Sequence, residues 1–257
     1  MAEEVRGWFT NSAPEIGYEI GAPWYGYQAD LGPAEARVIL RVDEPGQVAA
    51  ALADATATAG NRSLTIWVDD RRRASVLDAA LRDRGCDPGD ATTHLALAGP
   101  MTGRAGPGDL VIEAVGASGL EEWATVKLQC FGDSEAPPAP GRLAQEVASR
   151  EAELALAECQ LGSLGGERVA VMAYYRGRDQ LVFNLGTRVP YRHLGIAREM
   201  LARWVDAGTA SGCRSLIINA TDGGRAAALY RRLGFTDEVY WYRKYEMRPE
   251  AEAGRTR

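Results

Sequence analysis

Metal-binding and disulfide signatures are missing from this chain of 257 residues. Its four cysteines, Cys86, Cys130, Cys159 and Cys213, stand far apart with no CxxC pair, and only His94 and His193 are available to join them. That scarcity argues against a zinc or disulfide framework and for reduced thiols. No apolar run approaches the roughly 18 residues that a membrane span needs. The opening residues, MAEEVRGWFTNSAPE, are acidic and lack the apolar core of a signal peptide, so a cytoplasmic protein with no membrane partner is expected. A basic excess is absent too. The 29 Lys and Arg against 35 Asp and Glu leave a net charge of −6, which argues against a nucleic-acid face. The remaining composition, 46% apolar and 25% charged, is that of an ordinary globular protein with material for one large domain or two small ones.

Periodicity sets out the elements. The arm up to Ala36 is rich in Gly, Pro and aromatics, among them Trp24, Tyr25 and Tyr27, and reads as irregular or as an opening hairpin. RVILRV is a predicted strand, followed by a helix over PGQVAAALADATATAG that Gly60 closes. SLTIWV is a buried strand, and Asp69 or Asp70 caps a helix that ends at Gly85. THLALAG is a further strand, and the Gly/Pro-rich stretch GPMTGRAGPGD reads as a linker. Beyond it come a strand at DLVIEAVG, helices at GLEEWATVKLQCFG and LAQEVASREA, and three successive antiparallel strands at ELALAECQ, RVAVMAYYR and DQLVFNLGTRV. The loop DSEAPPAPGR separates the two helices. A long helix from Ile196, the strand SLIINA, the helix GGRAAALYRRLG and a strand pair across VYWYRKYEM complete the chain. AGNRSLTIWV and SGCRSLIINA match at Gly, Arg, Ser, Leu and Ile, which suggests duplication of a strand–helix unit.

The informative segment is TRVPYRHLGIAREML. A strand ends at Val189, Pro190 breaks it, and Arg192-His193-Leu194-Gly195-Ile196-Ala197 leads into a helix. A helix start exposes unpaired amides and the positive end of the helix dipole. With little or no side chain at Gly195 and Ala197, an anion can reach those amides, as a pyrophosphate cradle requires.

This run resembles the acetyl-CoA loop of the GNAT superfamily of N-acetyltransferases, and Ala226-Ala227-Ala228-Leu229-Tyr230-Arg231-Arg232-Leu233-Gly234-Phe235 resembles a second signature of that family. The likeness covers roughly 109 to 247. It implies an α/β (α+β) fold with a mixed, mainly antiparallel sheet flanked by helices. It also implies acetyl-CoA as co-substrate without a metal, and transfer of an acyl group to an amine. By the resemblance, the loop from Arg192 through His193, Leu194, Gly195 and Ile196 to Ala197 binds the pyrophosphate. Leu185, Thr187 and Val189 pair with the pantetheine arm where their strand splays from SLIINA. Tyr230 matches the tyrosine that protonates the departing thiolate.

Two departures stand out. Gly223 stands about where the family has an asparagine, and QLVFNLGTRV has no glutamate to act as base. Glu158 on the neighbouring strand is the substitute expected here, with a water held by Asn184 or Thr187 as the alternative. Cys130 and Cys159 have no histidine nearby to activate them and are expected to be inert. The first half lacks the cradle: Asp43-Glu44-Pro45-Gly46 stands in its place, and Leu81 falls about where Tyr230 does. The expected organisation is a degenerate GNAT-like half over 1–105, a catalytic domain over 106–250 and a disordered tail over 251–257. The expected acceptor is the amine of a small molecule. The alternatives are another acyl donor or acceptor, or a non-catalytic acyl-CoA sensor. The sequence leaves the oligomeric state open.

Overall fold

The computed structural model describes residues 17–18, 26–27, 35–40, 42–60, 63–103, 106–132 and 135–247. Trp24, Tyr25 and the tail 251–257 lie outside them. In chain order the first strands and helices are β1 (Gly17–Tyr18), β2 (Gly26–Tyr27), β3 (Glu35–Ile39), α1 (Val48–Ala59), β4 (Ser63–Val68), α2 (Arg71–Arg82), β5 (Cys86–Leu97) and β6 (Val111–Val115). There follow α3 (Leu120–Phe131), α4 (Pro140–Glu153), β7 (Ala157–Leu164), β8 (Glu167–Tyr175), β9 (Asp179–Thr187), α5 (Ile196–Ala210), β10 (Ser215–Thr221), α6 (Arg225–Arg232) and β11 (Phe235–Met247). The chain divides into two compact units. Unit 1 comprises Met1–His94, Thr221–Gly224 and Glu238–Arg257, and unit 2 comprises Leu95–Ala220 and Arg225–Asp237. The two units interleave along the sequence.

In unit 1, β3 pairs in parallel with β4, which pairs antiparallel with the end of β11. Asp70 caps α2, its Oδ1 accepting from the Arg73 amide at 2.7 Å. The core packs Leu40, Ile66 and Val68 of the strands against Leu77 and Leu81 of α2 and Tyr245 of β11. The expected strand pair near the C-terminus is instead one strand, β11. The strand expected at THLALAG begins earlier, at Cys86, because β5 carries pairing through Pro88 and Gly89.

In unit 2 the sheet runs β10-β9-β8-β7-β6, with the end of β5 beside β10. The pairs β6–β7, β7–β8 and β8–β9 are antiparallel and β9–β10 is parallel. The fold is thus mixed α/β with a mostly antiparallel sheet flanked by helices. On one face α5 buries Ile196, Met200, Leu201, Trp204 and Val205, the helical spacing of an amphipathic stripe, against Met172, Tyr174 and Val182. On the other, α3 buries Trp123, Ala124 and Val126 against Cys159, Leu161, Val171 and Ala173. The fully buried Trp123 satisfies its indole N–H on the Gln160 carbonyl at 3.1 Å.

Candidate active site

The site is set by where two strands stop pairing. β9 and β10 are in register from Ser215↔Asp179 to Ile218↔Val182, and the ladder ends there. β9 nevertheless runs on to Thr187, still paired on its other side with β8. The stretch Phe183–Thr187 thus offers one edge unpaired, which is the splay expected from the sequence. A bulge accompanies it: Ala173 faces Asn184 while Tyr174 faces Val182, so Phe183 is an extra residue. Phe183 packs with the cluster under α3 and α4, whereas Leu185 packs on the α5 face. Asn184, opposite Ala173, shares the α3 and α4 face. Thr187, opposite Ala170, faces α5, and its hydroxyl is buried with no hydrogen-bond partner among the described residues. A buried orphan oxygen at an open strand end is a position for a ligand's polar group. Gly186 lets α3 close onto this strand, since an added Cβ would lie 2.7 Å from Cys130 Cβ and 2.9 Å from Phe131.

Past Thr187 the chain turns through Val189–Tyr191 and reaches α5 with two left-handed residues, His193 at φ 67 and Gly195 at φ 83. A left-handed histidine is costly enough that its surroundings must impose it. Gly195 gives α5 no side-chain cap, so the first-turn amides keep no such acceptor. Arg192 does not reach into this cradle. Its Nε donates to the Thr187 carbonyl at 3.1 Å and its guanidinium to the Cys130 carbonyl at 2.9 Å, which ties the loop to β9 and to the end of α3. His193 and Leu194 are exposed, as is Val189, while Ile196 is buried and Ala197 half-buried. The one acid of the first turn, Glu199, is engaged by Arg203 at 3.0 Å and by the Gly106 amide at 3.1 Å. The helix start therefore keeps its attraction for an anion.

Tyr230 on α6 is buried, its ring edge-on to Phe235 at 6.4 Å. Its hydroxyl has no partner among the described residues. Burial pushes its pKa above the ordinary phenol value, so it holds its proton at neutral pH.

Residues 120–235 match the model of the Acetyltransferase (GNAT) family. They form a GNAT-family acetyltransferase domain. The fold is similar to that of a GCN5-related N-acetyltransferase from Kribbella flavida, with 16% identity, 97% of this chain and 96% of that one covered, and a TM-score of 0.63. It is also similar to a functionally unknown conserved protein from Staphylococcus epidermidis, with 13% identity, 91% and 94% covered, and a TM-score of 0.69. A tandem GNAT protein from the clavulanic acid biosynthesis pathway aligns with 14% identity over 85% of this chain and 77% of that one, at a TM-score of 0.57. No curated protein matches the chain.

Within the GNAT domain, Glu158 lies apart from this constellation. It pairs opposite Tyr174 on the α5 face, and its carboxylate accepts from Gln160 at 2.7 Å. Between Tyr174 and Tyr230 stand the buried rings of Trp204 and Phe235, with successive centroid separations of 6.1, 6.3 and 6.4 Å. Packed core thus separates Glu158 from the tyrosine it was expected to complement. Glu158 shares the α5 face with Tyr230, so the intervening rings and not strand parity keep the two apart, and Asn184 projects to the opposite face of the sheet. Thr187 shares the α5 face, which leaves Asn184 as the polar side chain beside the bulge on the face of α3 and α4.

Burial pushes the Cys130 thiol up to about 12 and the Cys159 thiol up to about 11, so neither is a thiolate at neutral pH. Sequence reasoning missed a partly buried ion network that joins α3 to α4. Lys127 pairs with Glu146 at 2.6 Å, Arg150 with Glu153 at 2.6 Å, and the Arg150 guanidinium lies 4.9 Å over the Phe183 ring. Its only signal was the i,i+4 and i,i+3 spacing of Glu146, Arg150 and Glu153 on one helix.

Unit 1 shows the same strand–helix–strand order without the opening. β3 pairs with β4 from Glu35↔Ser63 to Ile39↔Trp67, the Leu40 amide donating to the Trp67 carbonyl at 2.7 Å, so the ladder reaches the last residue of β3. Asp43 stands ahead of α1 and pairs with Arg73 at 2.9 Å, and Leu81 is buried.

Proposed function

We propose that the protein transfers an acetyl group from acetyl-CoA to the amine of a small molecule. The observation that carries this reading is the ladder ending at Val182 and Ile218 beside a helix start that has no side-chain cap. A pantetheine arm, with its amide groups, has the chemistry to pair along the open edge Phe183–Thr187 as an added strand. The buried, partnerless Thr187 hydroxyl suits the same arm. The pyrophosphate fits the amides from Gly195 to Ala197, where the chain supplies the positive end of α5.

The residues then divide the chemistry. The amine nitrogen attacks the thioester carbonyl, the C–N bond forms, and the C–S bond breaks as the tetrahedral intermediate collapses. Tyr230, kept neutral by burial, gives its proton to the departing sulfur. The amine's proton passes through a water held by Asn184 on the face of α3 and α4 to bulk solvent, in place of a carboxylate base, and a proton from solvent restores the Tyr230 hydroxyl before the next turnover. The buried, protonated thiols support direct transfer rather than an acyl-cysteine. Unit 1, with its closed ladder and the carboxylate of Asp43 ahead of α1, is a degenerate copy that binds no CoA.

CoA release in the presence of a panel of small-molecule amines tests the reading. Release above the hydrolysis background with at least one amine is expected. Tight acetyl-CoA binding without release for any amine would instead identify a sensor.

A further inference from the structure

A second concavity lies within unit 2, at the far end of α5 from the cradle. It has a volume of about 500 Å³, within the range of small-molecule sites, and is lined by Glu158, Tyr174, Arg176, Arg178, Gln180 and Ser211 among others. The Arg176 guanidinium is engaged by the Leu154 and Ala157 carbonyls at 3.0 and 3.4 Å. Ile196, which opens α5, and Gly208 are twelve residues apart, about 18 Å of helix at 1.5 Å per residue. The carboxylate of Glu158 accepts from the neutral Gln160 amide group at 2.7 Å, stands opposite Tyr174, and forms no ion pair among the described residues. The last turn of α5 adds the negative end of its dipole to the same space. Opposite in charge, the exposed guanidinium of Arg178 has no ion-pair partner among the described residues. Gln180 is not free to compete, since its Oε1 accepts from the Trp204 indole at 2.7 Å.

We propose that this cavity is a binding site for a free α-amino acid or a similar small zwitterion, with the ammonium on Glu158 and the carboxylate on Arg178. An unpaired carboxylate beside a helix C-terminus favours a cation, and a free guanidinium at the rim favours a carboxylate that it can grip in two places. A ligand carrying only one of the two charges leaves one protein group unmatched. The occupant is distinct from the acetyl acceptor, because packed aromatic core separates the cavity from Tyr230. The inference does not depend on the acetyl-transfer reading.

The test uses the full chain, titrated calorimetrically with each of the twenty common amino acids, their decarboxylated amines and their des-amino acids. At least one amino acid is expected to bind, with both single-charge analogues at least tenfold weaker. Glu158→Gln and Arg178→Ala, checked for an unchanged melting temperature, are each expected to weaken it tenfold or more, while Gly195→Asp leaves it intact. Arg178 is exposed, so its variant keeps the test open if the Glu158 variant misfolds. Absence of binding by every amino acid, equal binding of an analogue, or unchanged affinity in Arg178→Ala would overturn the proposal. So would acetylation of the bound amino acid itself, which would make the cavity the acceptor site.

Discussion

Val182 and Ile218 are the last residues that hold β9 and β10 together, and the strands run on without each other beyond them. In the equivalent parallel pair of unit 1, ladder and strand stop together: Ile39, the last residue of β3, pairs with Trp67. Both units contain a strand, a helix and a parallel strand, and both helices end at a left-handed glycine, Gly60 in one and Gly212 in the other. The two units differ in how far the parallel strand outruns its ladder and in the charge ahead of the helix.

Replacing Tyr230 with Phe removes the proton donor and keeps the ring. Acetyl-CoA affinity is expected to stay within about twofold of wild type while kcat falls about a hundredfold, the usual worth of a positioned general acid. Steady-state kinetics with a thiol-detecting assay checks this, and an unchanged kcat would make Tyr230 a packing residue.

Asn184→Ala removes the polar group beside the bulge. A tenfold or larger loss of kcat/KM, steepest below the amine's own pKa where the proton must still be removed, is expected if Asn184 holds the accepting water. Glu158→Gln is expected to leave kcat within about twofold. The reverse pattern would return the base role to Glu158.

His94 is fully buried, and burial lowers its pKa from 6.5 to about 3. The unfolded chain therefore binds the proton that the folded chain refuses between these values. The contribution is fully present above pH 6.5 and declines as pH falls toward 3, with a slope of about 1.4 kcal/mol per pH unit. Urea unfolding at pH 7.5, 6.0 and 5.0 should show this decline, and His94→Phe should lose that part of it. An identical slope in both proteins would contradict the assignment.

Much of the fold was legible because local chemistry and tertiary structure agree. SLTIWV is a strand of the expected length, Asp70 caps α2, and the run from Pro190 to Gly195 marks the start of α5. β5 was only partly legible, since Pro88, Gly89 and the flanking aspartates oppose strand formation and only cross-strand pairing overrides them. The bulge at Phe183 inverts side-chain parity, and nothing in the composition of QLVFNLGTRV announces it. Glu158 lies on β7, two strands from β9, and the rings of Trp204 and Phe235 stand between it and Tyr230, a separation set by tertiary packing that sequence spacing does not show.

A calorimetric titration with acetyl-CoA, run on the wild-type chain and on Gly195→Asp, tests the central claim most directly. An aspartate at φ 83 is strained and places a like charge where the pyrophosphate must sit. One acetyl-CoA per wild-type chain and binding at least a hundredfold weaker in a variant that melts cooperatively is the expected result. Two equivalents per chain, or unchanged affinity in folded Gly195→Asp, would contradict a single site built on β9, Gly195 and α5.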